Sequence, residues 1–208
     1  MSHRDWNESY VTGDAPWDTG EPNRHLVELV RSRAVAPGRA LDVGCGTGTN
    51  ALWLAKQGFD VLGIDVAPVA IEKARKKAAA TEPRCRFERV DFLNDAVPGS
   101  PFGFVFDSGC FHVFDAPEDR ARFAQRVALV LAPRGRWLSI IGSSEGPDRD
   151  WGPPRRSARD VIDAVEPVLE IVELRSVEIG ITLPVPVTAW FCLSRLRQVP
   201  AQPSTKRD

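Results

Sequence analysis

The sequence predicts an α/β fold, doubly wound around a mostly parallel seven-stranded sheet whose last strand is antiparallel. Three observations predict it. Short apolar runs alternate with helical periodicity from Ala40 to Gly142, as repeated β-α units do. The stretch Leu41-Asp42-Val43-Gly44-Cys45-Gly46-Thr47-Gly48 ends a buried run in a tight glycine turn just before a helical segment. Two extended runs, Val168 to Ile179 and Val187 to Leu196, then finish the domain around a hairpin-like Leu183-Pro184-Val185-Pro186.

The 208 residues suit one domain, read as 1–196, followed by a polar tail 197–208 expected to be disordered. With 27 basic and 28 acidic side chains the net charge is -1, which calls for neither nucleic acid nor a membrane surface. A small-molecule substrate is the default, for a monomer or weak homodimer. Cys45, Cys85, Cys110 and Cys192 are scattered, with no C-x-x-C pair, which argues against a zinc site or a disulfide framework and for the cytoplasm. No apolar run approaches the ~20 residues of a membrane helix.

Residues 1–23 form a leader with Trp6, Tyr10, Trp17 and a Gly13 to Gly20 pattern that lacks periodicity, read as a lid segment; the alternative is a plug for the end of the sheet. Leu26, Leu29 and Val30 set a helix over Asn23 to Ala34, and Pro37-Gly38 ends it. Ala40 to Val43 is the first strand, and Thr49 to Gln57 its helix, closed by Gly58. Phe59 to Ile64 is a second parallel strand ending in Asp65, beside the glycine turn if the crossover is right-handed. Pro68 opens a helix to about Ala80. Cys85 to Val90 is the third strand, ending in Asp91-Phe92, and Phe102 to Phe106 the fourth, running into Asp107-Ser108-Gly109-Cys110-Phe111-His112. Asp115-Ala116-Pro117-Glu118 reads as a capping box for a helix burying Phe123, Val127 and Leu131. Arg136 to Gly142 is the fifth strand. The connection Ser143 to Ser157, with Trp151 and Pro153-Pro154, has the length and composition of a binding loop, and a short helix Ala158 to Val165 follows it.

The chemistry centres on the glycine turn. A dinucleotide loop needs Gly-x-Gly-x-x-Gly, but here the third glycine is Gly48 and Thr49 stands in its place. Asp42 sits badly beside a pyrophosphate and well beside an ammonium group. A cationic, phosphate-free cofactor fits, and S-adenosylmethionine meets those demands; a tight turn without a ligand is the bland alternative. Asp65 can grip two ribose hydroxyls, or else cap the next helix. Asp91 and Phe92 can hold an adenine, or else form a capped turn.

At this point the chain resembles the class I S-adenosylmethionine-dependent methyltransferases, from residue 10 to residue 196. Pro16-Trp17-Asp18-x-Gly20, Asp107-x-Gly109-x-Phe111-His112 and Gly152-Pro153-Pro154 resemble the thiopurine, tellurite-resistance and halide/thiol methyltransferase group. The resemblance implies a Rossmann-like methyltransferase fold with S-adenosylhomocysteine as product. It implies that Gly44, Gly46 and Gly48 pass the methionine portion, that Asp42 orients its amino group, and that Asp65, Asp91, Phe92 and Asp107 complete the cofactor site. Tyr10 and Trp17 would close over the sulfonium and the substrate, with Trp151 and Arg155 on the substrate side. His112 is the candidate general base, or a hydrogen-bonded pocket wall. Arg155 stands where halide-methylating members would carry an aromatic, which suits an anionic acceptor instead. The acceptor expected is a thiol or another chalcogen. A nicotinamide-dependent oxidoreductase and a non-catalytic cofactor-binding module are the alternatives.

Overall fold

A computed structural model describes residues 5–80, 84–146, 152–179 and 187–197. The element order is α1 (Trp6–Thr12), α2 (Arg24–Arg31), β1 (Arg39–Val43), α3 (Thr49–Lys56), β2 (Asp60–Asp65), α4 (Pro68–Ala79), β3 (Cys85–Arg89) and β4 (Phe102–Ser108). A single 3₁₀ turn at Phe111–Val113 precedes α5 (Pro117–Val130), β5 (Leu131–Gly142), α6 (Ala158–Val165), β6 (Leu169–Ile179) and β7 (Val187–Leu196). The seven strands form one sheet in the order β3-β2-β1-β4-β5-β7-β6. β1 to β5 pair in parallel, and β7 runs antiparallel to both β5 and β6. The expected doubly wound sheet with an antiparallel last strand is therefore the observed one.

Residues of the central strands alternate between two buried layers, as strands covered on both faces must. Ala40, Phe104 and Phe106 pack toward α2, α3 and α4, where Leu26, Leu54 and Ile71 meet them. Leu41, Val43 and Val105 face the other way, toward Phe123 and Val127 of α5 and Val161 of α6. Because β1, β2 and β4 are neighbours and parallel, their carboxyl ends deliver Asp42, Asp65 and Asp107 to one edge: Val43 lies opposite both Ile64 and Asp107. No helix among the described residues is long and apolar enough to cross a membrane.

Three local expectations change. The leader contains a helix, α1, capped by Asp5, whose Oδ1 accepts from the N–H groups of Asn7 and Glu8, and it ends at Gly13 with φ of 81°. The expected capping box at Asp115 is absent: Ala116 is the N-cap without a side-chain bond, Pro117 opens α5, and Asp115 pairs with Arg156 at 2.7 Å. Leu131, expected inside α5, begins β5 instead and pairs with Phe102. The proline-rich turn 183–186 and the tail from 198 lie outside the described residues.

Candidate active site

The glycine turn starts where β1 ends. Gly44, Gly46 and Gly48 all take positive φ, at 68°, 53° and 84°, a region that favours glycine. Space forbids a side chain as well. A Cβ on Gly44 would lie 2.9 Å from Cys110 Cβ, one on Gly46 2.7 Å from the Tyr10 hydroxyl, and one on Gly48 2.6 Å from the Phe87 ring. The turn is thus wedged between the segment after β4, the leader and β3.

Three buried carboxylates surround it. Asp65 accepts from Gly46 N–H at Oδ2 and from Ala67 N–H at Oδ1, both at 2.9 Å, so it braces the turn and stands in for the missing side-chain cap of α4. Burial pushes its pKa up against those hydrogen bonds. Asp107 accepts from Phe111 N–H at 3.0 Å and from Trp137 Nε1–H at 2.9 Å. Burial raises its pKa to about 6. Asp42 is held by the backbone of Ala51 in the first turn of α3, while its Oδ2 is buried with no hydrogen-bond partner among the described residues. Burial first, then the Asp107 and Asp65 charges, drive its pKa well above the carboxylate range. A buried carboxylate oxygen left unpaired between two other carboxylates is costly on its own and suits a cationic partner.

The leader lies across this edge. Asn7 Oδ1 accepts from Val69 N–H at 3.0 Å, and Lys73 Nζ donates to the Tyr10 carbonyl at 2.7 Å, both on α4. Tyr10 is buried at 5 % exposure, which raises its pKa, and its hydroxyl accepts from Trp17 Nε1–H at 2.9 Å. Trp17 stands edge-on to Tyr10 and to Trp6, with centroids 6.1 and 5.6 Å away. A cleft of about 360 Å³ opens between α1 and the β2–α4 turn, lined by Asp5, Trp6, Asn7, Val66, Ala67, Pro68 and Arg89. At the far end of the leader, Asn23 N–H donates to Asn50 Oδ1 at 2.8 Å, and its amide donates to Ser108 Oγ at 3.3 Å.

The remaining expected residues fall less centrally. Asp91 is half-buried and accepts from Leu93 N–H and Asn94 Nδ2, so the capped-turn reading describes it as it stands. Phe92 is 5 % exposed, with its ring 4.8 Å from that of Phe123, which places it in the core and corrects the expectation of an open stacking face. Asp107 accepts a protein donor at each oxygen, as Asp65 does, and braces the 107–113 turn. His112 is buried, and its Nδ1 accepts from Gly142 N–H at 2.7 Å. A backbone N–H can only donate, so the neutral ring carries its proton on Nε2. The general-base role expected of His112 needs a lone pair at that atom, and this tautomer has none. Arg155 donates to the carbonyls of Ser143, at 3.1 Å, and Ser144, so its guanidinium fastens its own connection to the end of β5. Trp151 lies outside the described residues.

Cys110, in the segment after β4, packs on Gly44. Sequence reasoning missed the hydroxyl of Thr47, which donates to Asp18 at 2.8 and 2.9 Å. Asp18 belongs to the Pro16-Trp17-Asp18 pattern, which marked the segment but not its partner. Asn23 and Ser108 carried no signal, because their contact spans 85 residues.

Comparison with known proteins agrees with this outline. Residues 40–135 match a family model described as a methyltransferase domain. The chain is 32% identical over 153 residues to a probable thiol methyltransferase 2 of Arabidopsis thaliana, covering 72% of this chain and 65% of that protein. It is 30% identical to thiocyanate methyltransferase 1 of Brassica oleracea, covering 84% of this chain and 75% of the relative. It thus spans just under two thirds of the first relative's length. Among solved structures it is similar, with a TM-score of 0.77 and 28% identity over 90% of this chain and 89% of the other, to one described by the conversion of a disulfide bond into a thioacetal group during echinomycin biosynthesis.

Proposed function

The chain belongs to the class I S-adenosylmethionine-dependent methyltransferases, in the group of the thiol and thiocyanate methyltransferases, and from that premise we propose that it methylates a small, soft, anionic nucleophile, a thiolate or another chalcogen. The observation that carries the donor in this reading is the Oδ2 of Asp42, unpartnered among the described residues, beside buried carboxylates at a glycine turn, a setting that favours a cationic ligand; the acceptor class rests on the thiol and thiocyanate methyltransferase relatives.

S-adenosylmethionine, when bound, supplies a methyl group on a positively charged sulfur. Asp42 would take the amino group of its methionine portion, and the positive-φ backbone of Gly44, Gly46 and Gly48 would hold that portion. Asp65 has lone pairs beyond those used by Gly46 and Ala67, and they accept the ribose hydroxyls. Val66, which is 42 % exposed beside Asp65, and the Asp91 turn, backed by Phe92, would hold the adenine. Tyr10 and Trp17 cover the reacting atoms, exclude water and offer an aromatic face to the sulfonium. Asp107 and Arg155 position the segments that flank the acceptor, and Trp151 belongs to the same connection.

His112 holds its proton at Nε2 and is a donor there. Asp65 and Asp107 already accept from backbone and indole N–H groups, and burial keeps the Cys110 thiol protonated. An acceptor that arrives already ionised fits such a site, because alignment and dehydration are then the main tasks left to the protein. Scattered reduced cysteines and the balanced charge support a cytoplasmic enzyme acting on a small molecule, as a monomer or weak homodimer, without nucleic acid.

The test is release of S-adenosylhomocysteine from S-adenosylmethionine with a panel of thiols, halides, oxyanions and neutral alcohols. Turnover with thiols and none with alcohols is expected. If S-adenosylhomocysteine itself fails to bind at millimolar concentration, the reading is wrong.

A further inference from the structure

We infer that the hydroxyl of Thr47 is the catch that ties the leader to the donor-binding turn, which makes Thr47, Asp18 and Lys77 positioning residues for methyl transfer. The inference rests on the proposed function above. Thr47 lies between Gly46 and Gly48 and is only 3 % exposed. Its hydroxyl donates to the carboxylate of Asp18, from the leader, and accepts from Lys77 Nζ, from α4, at 2.6 Å. One hydroxyl thereby joins three segments that are 29 and 30 residues apart in the chain. The next residue back, Gly46, is pinned from below by Asp65 and covered from above by the Tyr10 hydroxyl. Anything seated along the turn therefore sits under a leader whose nearest fastening is the turn itself.

The two charged partners sit at the surface while the hydroxyl between them is buried. Both contacts are hydrogen bonds between the hydroxyl and an exposed charged side chain that water and salt ions can compete for, so this fastening can open and close, whereas fully buried charged partners would hold the leader shut. The leader also carries Tyr10 and Trp17, so release of Asp18 from Thr47 loosens the cover next to the donor and the acceptor, while Asn7 and Tyr10 stay fastened to α4. Donor binding and closure over the acceptor are thereby coupled, and product departure is eased by breaking the same contact.

The experiment compares wild type, Thr47→Val, Thr47→Ser and Asp18→Asn. The readouts are the S-adenosylhomocysteine dissociation rate by stopped flow, and KM and kcat for a thiol acceptor. Thr47→Val and Asp18→Asn should each speed dissociation and raise the acceptor KM by about 3- to 10-fold, while Thr47→Ser, which keeps the hydroxyl, stays within about twofold of wild type. Raising ionic strength should speed dissociation from wild type and leave Asp18→Asn flat. Wild-type rates in folded Asp18→Asn, or a Thr47→Ser protein as impaired as Thr47→Val, would overturn the latch. Failure of wild type to bind S-adenosylhomocysteine would instead defeat the functional reading beneath it.

Discussion

The backbone N–H of Gly142 donates to Nδ1 of His112 at 2.7 Å, tying the end of β5 to the turn that follows β4. The bond fixes the ring as the Nε2–H tautomer and makes His112 a structural link between two segments on the acceptor side. Replacing it with Leu should leave the Gly142 N–H buried and unpaired, at a cost of about 1–3 kcal/mol. His112→Asn, whose Oδ1 falls near the position of Nδ1, should recover most of that stability. With a thiol acceptor the rate should climb with pH through the acceptor's own pKa, in wild type and His112→Asn alike. Urea denaturation and pH–rate profiles check both; a profile that loses a limb in His112→Asn would restore the histidine as a base.

Asp42 should make donor binding pH-dependent. Burial and the neighbouring carboxylates hold its pKa well above the carboxylate range in the free protein, and a bound ammonium group favours its charged form. The complex thus binds fewer protons than the free protein. Affinity for S-adenosylhomocysteine should rise with pH through the raised pKa and level off above it. Asp42→Asn should abolish that slope and weaken binding by about 1.5–3 kcal/mol. Calorimetric titration across pH decides the matter, and a slope that persists in Asp42→Asn would remove Asp42 from the site.

Gly46 and Tyr10 should show energetic coupling. Gly46→Ala adopts φ of 53° at a cost of about 1–2 kcal/mol and drives a methyl group against the Tyr10 hydroxyl, 2.7 Å away. Tyr10→Phe removes that hydroxyl but leaves Trp17 Nε1–H without its acceptor, a loss of about 1 kcal/mol. The double variant should be more stable than the sum of the two changes predicts, because only the steric part is relieved. Thermal denaturation of the four proteins closes the cycle; strict additivity would place the tyrosine elsewhere.

Trp137→Phe should harm the protein more at alkaline than at acid pH. Asp107 is pushed up to about 6 from an ordinary value of 3.8, so between those values the folded chain binds more protons than the unfolded chain and stability falls as pH rises. Removing the indole donor raises the folded value further and prolongs the fall. At pH 5 Asp107 is largely protonated with or without the indole; at pH 8 the difference is felt in full, by about 1.5–3 kcal/mol. Equal losses at pH 5 and pH 8 would contradict this.

The residues that were legible in the sequence owe their visibility to local rules. A strand that ends in Asp42 or Asp65 before a helix announces its carboxylate at the sheet's ligand-binding edge, because the β-α turn alone puts it there. What those carboxylates bind within the protein was not legible. That Asp65 holds Gly46, or Asp107 holds Trp137, depends on pairing strands 19 and 30 residues apart. The leader shows the limit most plainly. Trp6-Asn7-Glu8-Ser9-Tyr10 buries only two residues, Ser9 and Tyr10, so α1 has too narrow an apolar face to register as periodic, and its helix depends on docking against α4. Phe92 was misplaced for a related reason: an aromatic at a strand end suits a stacking face and a core position equally, and Phe123 settles it.

The position of β7 between β5 and β6 has a consequence for how the molecule is made. Among the described residues β6 pairs with β7 alone, so residues 169–179 leave the ribosome before the strand they pair with in the finished sheet. β1 to β5 can assemble as they emerge, while β6 waits, unpaired, for 187–196. The half of the sheet that carries Trp190 and Phe191 then closes in one step, as an antiparallel pair inserted beside β5. A chain stalled before residue 187 would hold the glycine turn and its carboxylates in place, and would still expose the flank of β5 to any strand that reached it first.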